Sequence, residues 1–370
     1  MKVLHFILGK ADKNKPNGVN QVVAGLAKHL SKEGIDIKVL GKAETCNLEG
    51  ESILRDGFTV KIYTKFSIDF FKYLIKVIKE VDIVHVHGLY NFSNIIISFV
   101  CKYFKTPYII STHNGLSPVL LRRSGTLKKT IFHIFFQKKF LKDASVIHVM
   151  TEEESTDLLA SGYSGNVCIV PNGIDQDDFS YSSKISTKKN TEILSIGYLG
   201  RFSSEKNIDS LINAIDIGFR DQKVELYLVG PKSAYLSNLL ESNNLNYSIH
   251  FLGPLYGQDK LNFLKTIDLF VHPSYCDVFS IGAVEVLASG TPLLITRTSN
   301  ASYFFDKNAF YMCEPTTSGI HRGIQKALDD RHNWPLKISA GHKLITDQFN
   351  WSVAARKIKL AYKDIEDLML

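Results

Sequence analysis

The chain has 370 residues, of which 45% are hydrophobic and 22% charged, and its formal net charge is +7. This length is sufficient for about two domains, each with a hydrophobic core of its own. The composition excludes a disordered, collagen-like or coiled-coil protein, and no apolar run reaches the roughly 20 residues of a membrane-spanning helix.

The N-terminal segment MKVLHFILGKADKNK begins with a short apolar stretch and contains no cleavage-like site. It therefore predicts a buried first strand rather than a signal peptide, and we expect the protein to remain in the cytoplasm. The five cysteines are scattered and form no C-x-x-C pair. Neither a disulfide framework nor a cysteine zinc site is predicted.

Short apolar runs alternate with stretches of helical periodicity along the chain, which predicts strand-helix-strand units and parallel sheets. A helix is predicted over residues 20–33, after the first loop. Strands are predicted at 2–8, 35–40, 83–87, 108–112, 145–150 and 167–170, and then at 191–198, 225–229, 249–252, 269–272 and 293–295. An aperiodic stretch at 176–190, rich in Ser, Lys and Asp, separates the two series and predicts a linker. We therefore expect an α/β protein with two successive open sheets.

Open parallel sheets bind ligands at the carboxyl ends of their strands, so the loop after the first strand is a candidate site. It ends in Asn17 and Gly18 at the start of the predicted helix, where glycine permits a sharp turn and free N–H groups can bind an anion. The alternative is an ordinary strand-to-helix turn. The sequence has neither G-x-G-x-x-G nor G-x-x-x-x-G-K-[ST], which argues against a dinucleotide dehydrogenase and a P-loop NTPase.

Three histidines follow or end neighbouring predicted strands. His85 and His87 are two positions apart and therefore share a face, and His113 follows the next strand. A zinc site is the less favoured interpretation, because no carboxylate or fourth ligand accompanies them at a suitable spacing. We expect hydrogen-bonding groups that line a cleft, with a buried structural histidine as the alternative for His85.

Seven basic residues and no acidic residue occur between positions 115 and 142. Leucine, isoleucine and phenylalanine residues are interleaved with them, which predicts a surface for the anionic inner face of the membrane or for a substrate presented there. A buried helix with a solvated basic edge is the alternative, and nucleic acid is disfavoured because no binding motif is present. The predicted patch consists of Arg122, Arg123, Lys128, Lys129, Lys138 and Lys139.

The second half contains two sharper patterns after its strands. Arg201 and Lys206 lie in a loop that enters a helix, a pair of cations suited to a diphosphate, although a solvated basic loop is the alternative. Asp277 follows a later strand, and Glu285 comes eight residues afterwards in a predicted helix whose N-terminus favours a phosphate.

Together these residues resemble the retaining glycosyltransferases of the GT-B fold, in the large group that includes bacterial polysaccharide sugar transferases. That group has a Glu-x7-Glu motif, and Asp277 to Glu285 keeps the spacing with aspartate in the first place. The other similar fragments are VPNGID at 170–175, GRFSSEK at 200–206, FLGPL at 251–255, VHPS at 271–274 and QFNWSVAARKIKLAYKDI at 348–365.

The resemblance implies two Rossmann-like domains whose parallel sheets face each other across a cleft. An acceptor-side domain is expected over 1–172, a linker over 173–190 and a nucleotide-sugar-binding domain over 191–351. A C-terminal helix at about 352–370 is expected to return to the first domain.

The resemblance also implies roles for individual residues. His113, Asp277 and Glu285 form the expected catalytic set, in which His113 reaches the donor sugar and Glu285 binds the ribose hydroxyls. The donor diphosphate is expected on Arg201, Lys206 and Gly18, and the donor sugar on the loop of Asp277, Val278, Phe279, Ser280 and Ile281. Two departures from the family are Asn17 in place of a glycine and the aspartate at 277, which withdraws its carboxylate by roughly 1.5 Å and can alter sugar choice or rate.

The implied activity is retaining transfer of a hexose or N-acetylhexosamine from a nucleotide-diphosphate sugar, most readily a UDP-sugar, to a hydroxyl of a glycan or lipid-linked oligosaccharide. The expected setting is bacterial surface polysaccharide synthesis, such as O-antigen, capsule or lipopolysaccharide, at the inner face of the cell membrane. We expect no cofactor and no metal requirement, because cations and helix N–H groups can stabilise the leaving diphosphate. The alternatives are a sugar-nucleotide epimerase, a phosphorylase or a non-catalytic nucleotide-sugar-binding subunit.

Overall fold

The computed structural model describes residues 1–12, 18–113, 115, 136–175, 193–219, 222–241, 247–275, 277, 279–299 and 307–368. The chain divides into two units, the first comprising Met1–Gly173 with Trp351–Leu370 and the second Ile174–Asn350. The stretch at 176–190, which contains most of the predicted linker, lies outside the described residues. Among the helices of the described ranges, none combines the length and the apolarity needed to span a bilayer.

The first unit is built on a mostly parallel sheet. Its strands in the described residues are β1 (Lys2–Ile7), β2 (Asp36–Lys42), β3 (Ser52–Arg55), β4 (Phe58–Tyr63), β5 (Ile83–His87), β6 (Tyr108–Ser111), β7 (Val146–Val149) and β8 (Val167–Ile169). They lie in the order β3-β4-β2-β1-β5-β6-β7-β8. β3 runs antiparallel to β4, whereas the other neighbours pair in parallel. Its helices are α1 (Gly18–Lys32), α2 (Ile68–Glu80), α3 (Phe92–Phe104), α4 (Lys138–Lys142) and α5 (Glu152–Ala160).

The two faces of this sheet differ in polarity because successive side chains of a strand point to opposite faces. One face contributes apolar side chains to a core with α2 and α3, namely Leu4, Phe6, Val84, Val86, Ile110, Ile147 and Val149. On the other face the strand register places five polar side chains side by side, all buried: His5, His85, His87, Ser111 and His148.

The C-terminal helix covers part of the first unit. It follows the second unit in the chain and is numbered α12 (Trp351–Asp367). Its buried residues recur at helical spacing and include Trp351, Ile358 and Tyr362. The helix packs on α1 at Gly25, where an added Cβ would lie 2.3 Å from the Trp351 ring. The expected return of a C-terminal helix to the first domain is therefore confirmed.

The second unit contains a parallel sheet with the strand order of a dinucleotide-binding fold. Its strands in the described part are β9 (Ile193–Leu199), β10 (Lys223–Val229), β11 (Ser248–Gly253), β12 (Leu269–His272), β13 (Leu293–Thr296) and β14 (Tyr311–Cys313), in the order β11-β10-β9-β12-β13-β14. Its helices are α6 (Ile208–Gly218), α7 (Ala234–Glu241), α8 (Gly257–Thr266), α9 (Ile281–Ser289), α10 (Thr317–Asp329) and α11 (Trp334–Asp347). The predicted α/β class with two parallel sheets is confirmed.

Each strand predicted from the sequence overlaps an observed strand, and the predicted first helix corresponds to α1. Three strands were not predicted. β3 and β4 form a hairpin through Asp56 and Gly57, whose positive φ angles of 46° and 89° suit a tight two-residue turn. β14 has three residues.

Candidate functional site

The second sheet reverses its strand order between β9 and β12, because the chain builds one edge from β9 and the other from β12. Ligands of open parallel sheets bind at the carboxyl ends of strands beside such a reversal. Arg201 and Lys206 follow β9, and Asp277 follows β12. The structure therefore places these three predicted residues on the loops of one reversal point.

Asp277 binds two side chains there. Its Oδ2 accepts hydrogen bonds from Lys206 Nζ at 2.7 Å and from His272 Nε2 at 3.1 Å. The Lys206 and Asp277 side chains are only 14% and 18% exposed, so water screens their attraction weakly. Burial by itself would raise the pKa of Asp277, but the hydrogen bond from His272 and the charge of Lys206 outweigh it and hold the pKa well below its usual range. Asp277 is thus an ionised carboxylate.

The loops that carry these residues are tied together by hydrogen bonds. Asn207 directly precedes α6 and has a left-handed φ of 55°, and its side-chain amide donates to the carbonyls of Pro273 at 2.9 Å and Pro315 at 3.0 Å. The Tyr275 N–H donates to the Glu205 carbonyl at 2.9 Å. The distance between Lys206 and Asp277 therefore depends on backbone contacts as well as on their own ion pair.

Glu285 lies in α9 with its own cationic partner. The helix begins after Ser280, whose hydroxyl accepts from the Ala283 N–H at 3.1 Å, and it ends before Gly290, which has a left-handed φ of 76°. Glu285 is 8% exposed, and its Oε1 accepts a hydrogen bond from Lys260 Nζ of α8 at 2.5 Å. The two carboxylates of the Asp277 to Glu285 motif thus belong to two different pairs, Asp277 with Lys206 and Glu285 with Lys260.

The remaining residues predicted for the donor are partly described. Arg201 is exposed, and its carbonyl accepts a hydrogen bond from the Tyr198 hydroxyl at 2.8 Å. The Phe279 and Ile281 side chains are partly buried on either side of the Ser280 cap. Val278 lies outside the described residues, as does Asn17 of the first loop.

In the first unit, the strand order reverses between β1 and β5, and a cavity of about 690 Å³ opens at that position. Its lining comes from the loop after β1, the first turn of α1, the end of β2 and the loop after it, the loop after β4 and the start of α3. It includes Lys10, Asn20, Lys42, Thr45, Phe66 and Phe92. Asn20 holds the first loop, since its Oδ1 accepts from the N–H groups of Lys10 at 2.7 Å and Ala11 at 3.0 Å. Gly18 begins α1 and is exposed.

The predicted histidines are linked to one another. His113 follows β6 with a left-handed φ of 45°, and its Nε2 lies 3.0 Å from Nδ1 of His87. His85 is fully buried, which matches the structural alternative for this residue. Ring nitrogens of His5, His85 and His87 lie within 4.8 Å of one another, but the nitrogens of these three rings already hydrogen-bond to neighbouring side chains.

Of the predicted basic patch, Lys138 and Lys139 are described, and both are exposed on α4. Arg122, Arg123, Lys128 and Lys129 lie outside the described residues. Lys139 Nζ lies 5.8 Å from the centre of the Phe99 ring. Phe99 belongs to a row of aromatic residues on α3, in which Phe92, Phe99 and Tyr103 are 63%, 54% and 81% exposed.

Sequence reasoning missed several members of these groups. His272 stands within the VHPS fragment and could have been found there. Lys260 is a single cation beside the buried Leu261 and Phe263 of α8, which is a weak signal. The remaining missed residues are the partners of the predicted histidines on the polar face of the first sheet, namely His5, Ser111, His148 and Tyr362.

Two family models match the chain in succession. The model described as Glycosyltransferase Family 4 matches residues 16–178, and the model described as Glycosyl transferases group 1 matches residues 182–344. Each model falls mainly on one of the two structural units.

Individual proteins are similar over most of the chain. D-inositol 3-phosphate glycosyltransferase of Corynebacterium jeikeium is 23% identical over 94% of this chain and 92% of its own length. The solved structure of sucrose-phosphate synthase from Thermosynechococcus elongatus has a TM-score of 0.80 at 16% identity and covers 99% of both chains. The structure of Anabaena HepE in complex with UDP-glucose has a TM-score of 0.76 at 17% identity and covers 98% of this chain and 100% of its own.

Proposed function

The chain belongs to the GT-B glycosyltransferases, and on this premise we propose that it transfers a hexose or N-acetylhexosamine, with retention of anomeric configuration, from a UDP-sugar to a hydroxyl group of a glycan or lipid-linked oligosaccharide. The observation that carries the proposal is the Lys206–Asp277–His272 group at the reversal point of the second sheet. It combines a cation for a diphosphate with an ionised carboxylate for sugar hydroxyls.

In this proposal the donor diphosphate binds Arg201 and Lys206. Arginine presents a planar fork of donors, and lysine is a compact charge. Lys206 then exchanges part of its interaction with Asp277 for the phosphate oxygens, and Asp277 accepts hydrogen bonds from the sugar. The N–H groups at the start of α9 add further stabilisation, because a helix N-terminus favours an anion.

The reaction breaks the bond between the anomeric carbon and the β-phosphate oxygen, which leaves with the bonding electron pair. The acceptor oxygen forms its new bond to the same face of the anomeric carbon, and its proton passes to the departing phosphate. Donors that are already in position when the negative charge grows lower the barrier without further reorganisation. We propose that Arg201 and Lys206 supply this stabilisation and that no divalent cation is required.

Glu285 is assigned to the ribose hydroxyls of the nucleotide. A carboxylate can accept two hydrogen bonds from neighbouring hydroxyls, and Lys260 holds one of its oxygens at 2.5 Å. His113 is assigned to the donor sugar, the contact that the family resemblance implies.

We propose that the acceptor binds the cavity of the first unit. Lys10 and Lys42 supply positive charge there, and Phe66 offers a ring for a sugar face. The aromatic row of α3, beside Lys139, suits the interfacial region of an anionic membrane, where aromatic rings and cations both bind favourably. A lipid-linked acceptor in bacterial surface polysaccharide synthesis, used at the inner face of the membrane, fits both features.

A panel of UDP-, GDP- and ADP-sugars tests the donor assignment. A bound donor at 100 times its dissociation constant raises the free energy of unfolding by about 2.7 kcal/mol, which a thermal shift detects. Arg201→Ala should lose most of this shift, whereas Arg297→Ala, which removes an exposed arginine paired with Glu314 in the same unit, should keep it.

Turnover distinguishes the enzyme from its alternatives. Transfer, or slow hydrolysis, that yields the donor's own anomer supports the proposal. Stabilisation without any turnover identifies a non-catalytic binding subunit, a requirement for inorganic phosphate identifies a phosphorylase, and conversion of the donor without an acceptor to an isomeric sugar nucleotide identifies an epimerase.

A further inference from the structure

A continuous row of hydrogen bonds crosses the first unit from His113 to the backbone carbonyl of Val170, the residue that follows β8. On the His113 side, His113 Nε2 meets His87 Nδ1 at 3.0 Å, His87 Nε2 meets His5 Nδ1 at 2.9 Å, and His5 Nε2 meets the Tyr362 hydroxyl at 3.3 Å. Tyr362 comes from α12 and is the link between the two halves of the row.

The second half of the row ends at a carbonyl group. The Tyr362 hydroxyl meets His85 Nδ1 at 2.6 Å, His85 Nε2 meets the Ser111 hydroxyl at 2.7 Å, and this hydroxyl meets His148 Nδ1 at 2.7 Å. His148 Nε2 lies 2.8 Å from the carbonyl oxygen of Val170.

Burial keeps these groups neutral. It lowers the pKa of His5 and of His113 to about 3, in each case with a smaller effect of His148. Burial lowers the pKa of His148 to about 4 against the opposing hydrogen bond to Val170, and it also lowers the pKa values of His85 and His87. Near neutral pH each ring therefore has one N–H and one lone pair. Burial raises the pKa of Tyr362, so its hydroxyl keeps its proton.

The Val170 carbonyl determines which atom donates in each hydrogen bond of the row. A carbonyl oxygen can only accept, so His148 Nε2 carries the hydrogen and His148 Nδ1 is a lone pair. The Ser111 hydroxyl then donates to His148, and His85 Nε2–H donates to Ser111. His85 Nδ1 is consequently a lone pair, which accepts from the Tyr362 hydroxyl.

The same logic continues to the other end. The Tyr362 hydroxyl has used its hydrogen, so it accepts from His5 Nε2–H, and His5 Nδ1 accepts from His87 Nε2–H. His87 Nδ1 then accepts from His113 Nε2–H. The remaining nitrogen of His113, Nδ1, has no hydrogen.

We propose that this row fixes His113 as its Nε2–H tautomer, so that His113 Nδ1 accepts a hydrogen bond from a hydroxyl group of the substrate. Tyr362, Ser111 and His148 are positioning residues for His113. The identity of the substrate rests on the proposed function, whereas the tautomer does not. A neutral Nδ1 without hydrogen has none to donate to a carboxylate or phosphate oxygen, which favours a sugar with a hydroxyl rather than a carboxylate at the contacted position.

The tautomer can be measured on the ligand-free protein. Correlation of ring nitrogens and ring protons in a ¹⁵N-histidine-labelled sample identifies which nitrogen of each ring carries hydrogen, and a His113→Gln sample assigns the His113 signals. We expect His113, His87, His5, His85 and His148 all to carry hydrogen on Nε2. Hydrogen on Nδ1 of His113, or a doubly protonated ring near neutral pH, overturns the proposal.

Variants that interrupt the row, together with a control, test whether the row fixes the tautomer of His113. Tyr362→Phe removes the link, so the first three rings lose their connection to the Val170 carbonyl, and His113 should populate both tautomers. Tyr108→Phe is the matched control, since the buried Tyr108 hydroxyl donates to the Phe140 carbonyl at 2.7 Å outside the row, and it should leave His113 unchanged. Ser111→Ala interrupts the row at a second point and replaces Tyr362→Phe if that variant does not fold.

An unchanged, single His113 tautomer in every interrupted variant that folds overturns the causal role of the row. The proposed function is tested independently of the row. If the protein transfers no sugar but the histidine tautomers are as expected, the proposed function is wrong and the tautomer assignment stands.

Discussion

Asp277→Asn should strengthen the binding of UDP while it slows sugar transfer, and the two effects have different origins. In the structure Lys206 Nζ lies 2.7 Å from Asp277 Oδ2, so a diphosphate must compete with this carboxylate for the lysine. Asparagine removes the competing charge and keeps a similar shape. It also removes the carboxylate that we assign to the sugar hydroxyls.

The expected gain in UDP affinity follows from the environment of the Lys206–Asp277 pair. A hydrogen bond between charged groups contributes about 1.5–3 kcal/mol, and the side chains are 14% and 18% exposed, so little of this is lost to screening. Because the asparagine oxygen still accepts a hydrogen bond from Lys206, we take the low end, about 1.5 kcal/mol. This corresponds to a roughly tenfold lower dissociation constant for UDP. Loss of the carboxylate should slow transfer by up to about 10²-fold, the cost of misplaced contacts at a reacting centre.

Titration calorimetry with UDP and steady-state transfer assays measure the two effects. The matched control is Glu314→Gln, which neutralises an exposed carboxylate of the same unit that pairs with Arg297 and should change neither. An Asp277→Asn protein that binds UDP with unchanged or weaker affinity would refute the competition for Lys206.

The remaining predictions concern stability, metal dependence and membrane binding. Lys260→Met leaves the buried Glu285 without its cation and should lower the free energy of unfolding in urea by about 3 kcal/mol. Adding Glu285→Gln to this variant should restore part of the lost stability. If the losses of the two single variants simply add in the double variant, Lys260 and Glu285 are not coupled. Folding lowers the pKa of Asp277 below its ordinary value of 3.8. The ionised Asp277 therefore stabilises the folded state above about pH 4, and this stabilisation is lost as the pH falls towards the lower pKa of the folded state. The stability difference between the wild type and Asp277→Asn should accordingly narrow in acid, and a constant difference would argue against the ionised pair. Transfer should continue in EDTA, and a complete loss restored by a divalent cation would show a metal requirement. The protein should sediment with anionic vesicles at low salt, and the double variant Phe99→Ser, Tyr103→Ser should stay in the supernatant. Sedimentation of that variant to the same extent as the wild type would show that α3 is not the membrane contact.

Much of the fold can be predicted from the sequence because it depends on short-range patterns. Apolar runs of strand length and helical periodicity are properties of neighbouring residues, and they located eleven of the fourteen described strands and the first helix. The strands that were not predicted are β14, which has three residues, and β3 and β4, which pair through an Asp-Gly turn that requires two positive φ angles. The residues after the strands were predictable as site residues because parallel strands bring their carboxyl ends to one edge.

The pairing of those residues was decided by tertiary structure. The sequence pattern shows Asp277 and Glu285 as one motif, yet Asp277 binds Lys206 and Glu285 binds Lys260, because β12 and α9 pack against different elements. The hydrogen bond between His85 and Tyr362 joins residues 277 positions apart. Such a contact depends on strand order, on register and on the return of α12, none of which is encoded in local spacing. Local patterns are therefore enough to predict which polar residues follow the strands, whereas strand order, register and helix packing determine which of those residues form hydrogen bonds and ion pairs with one another.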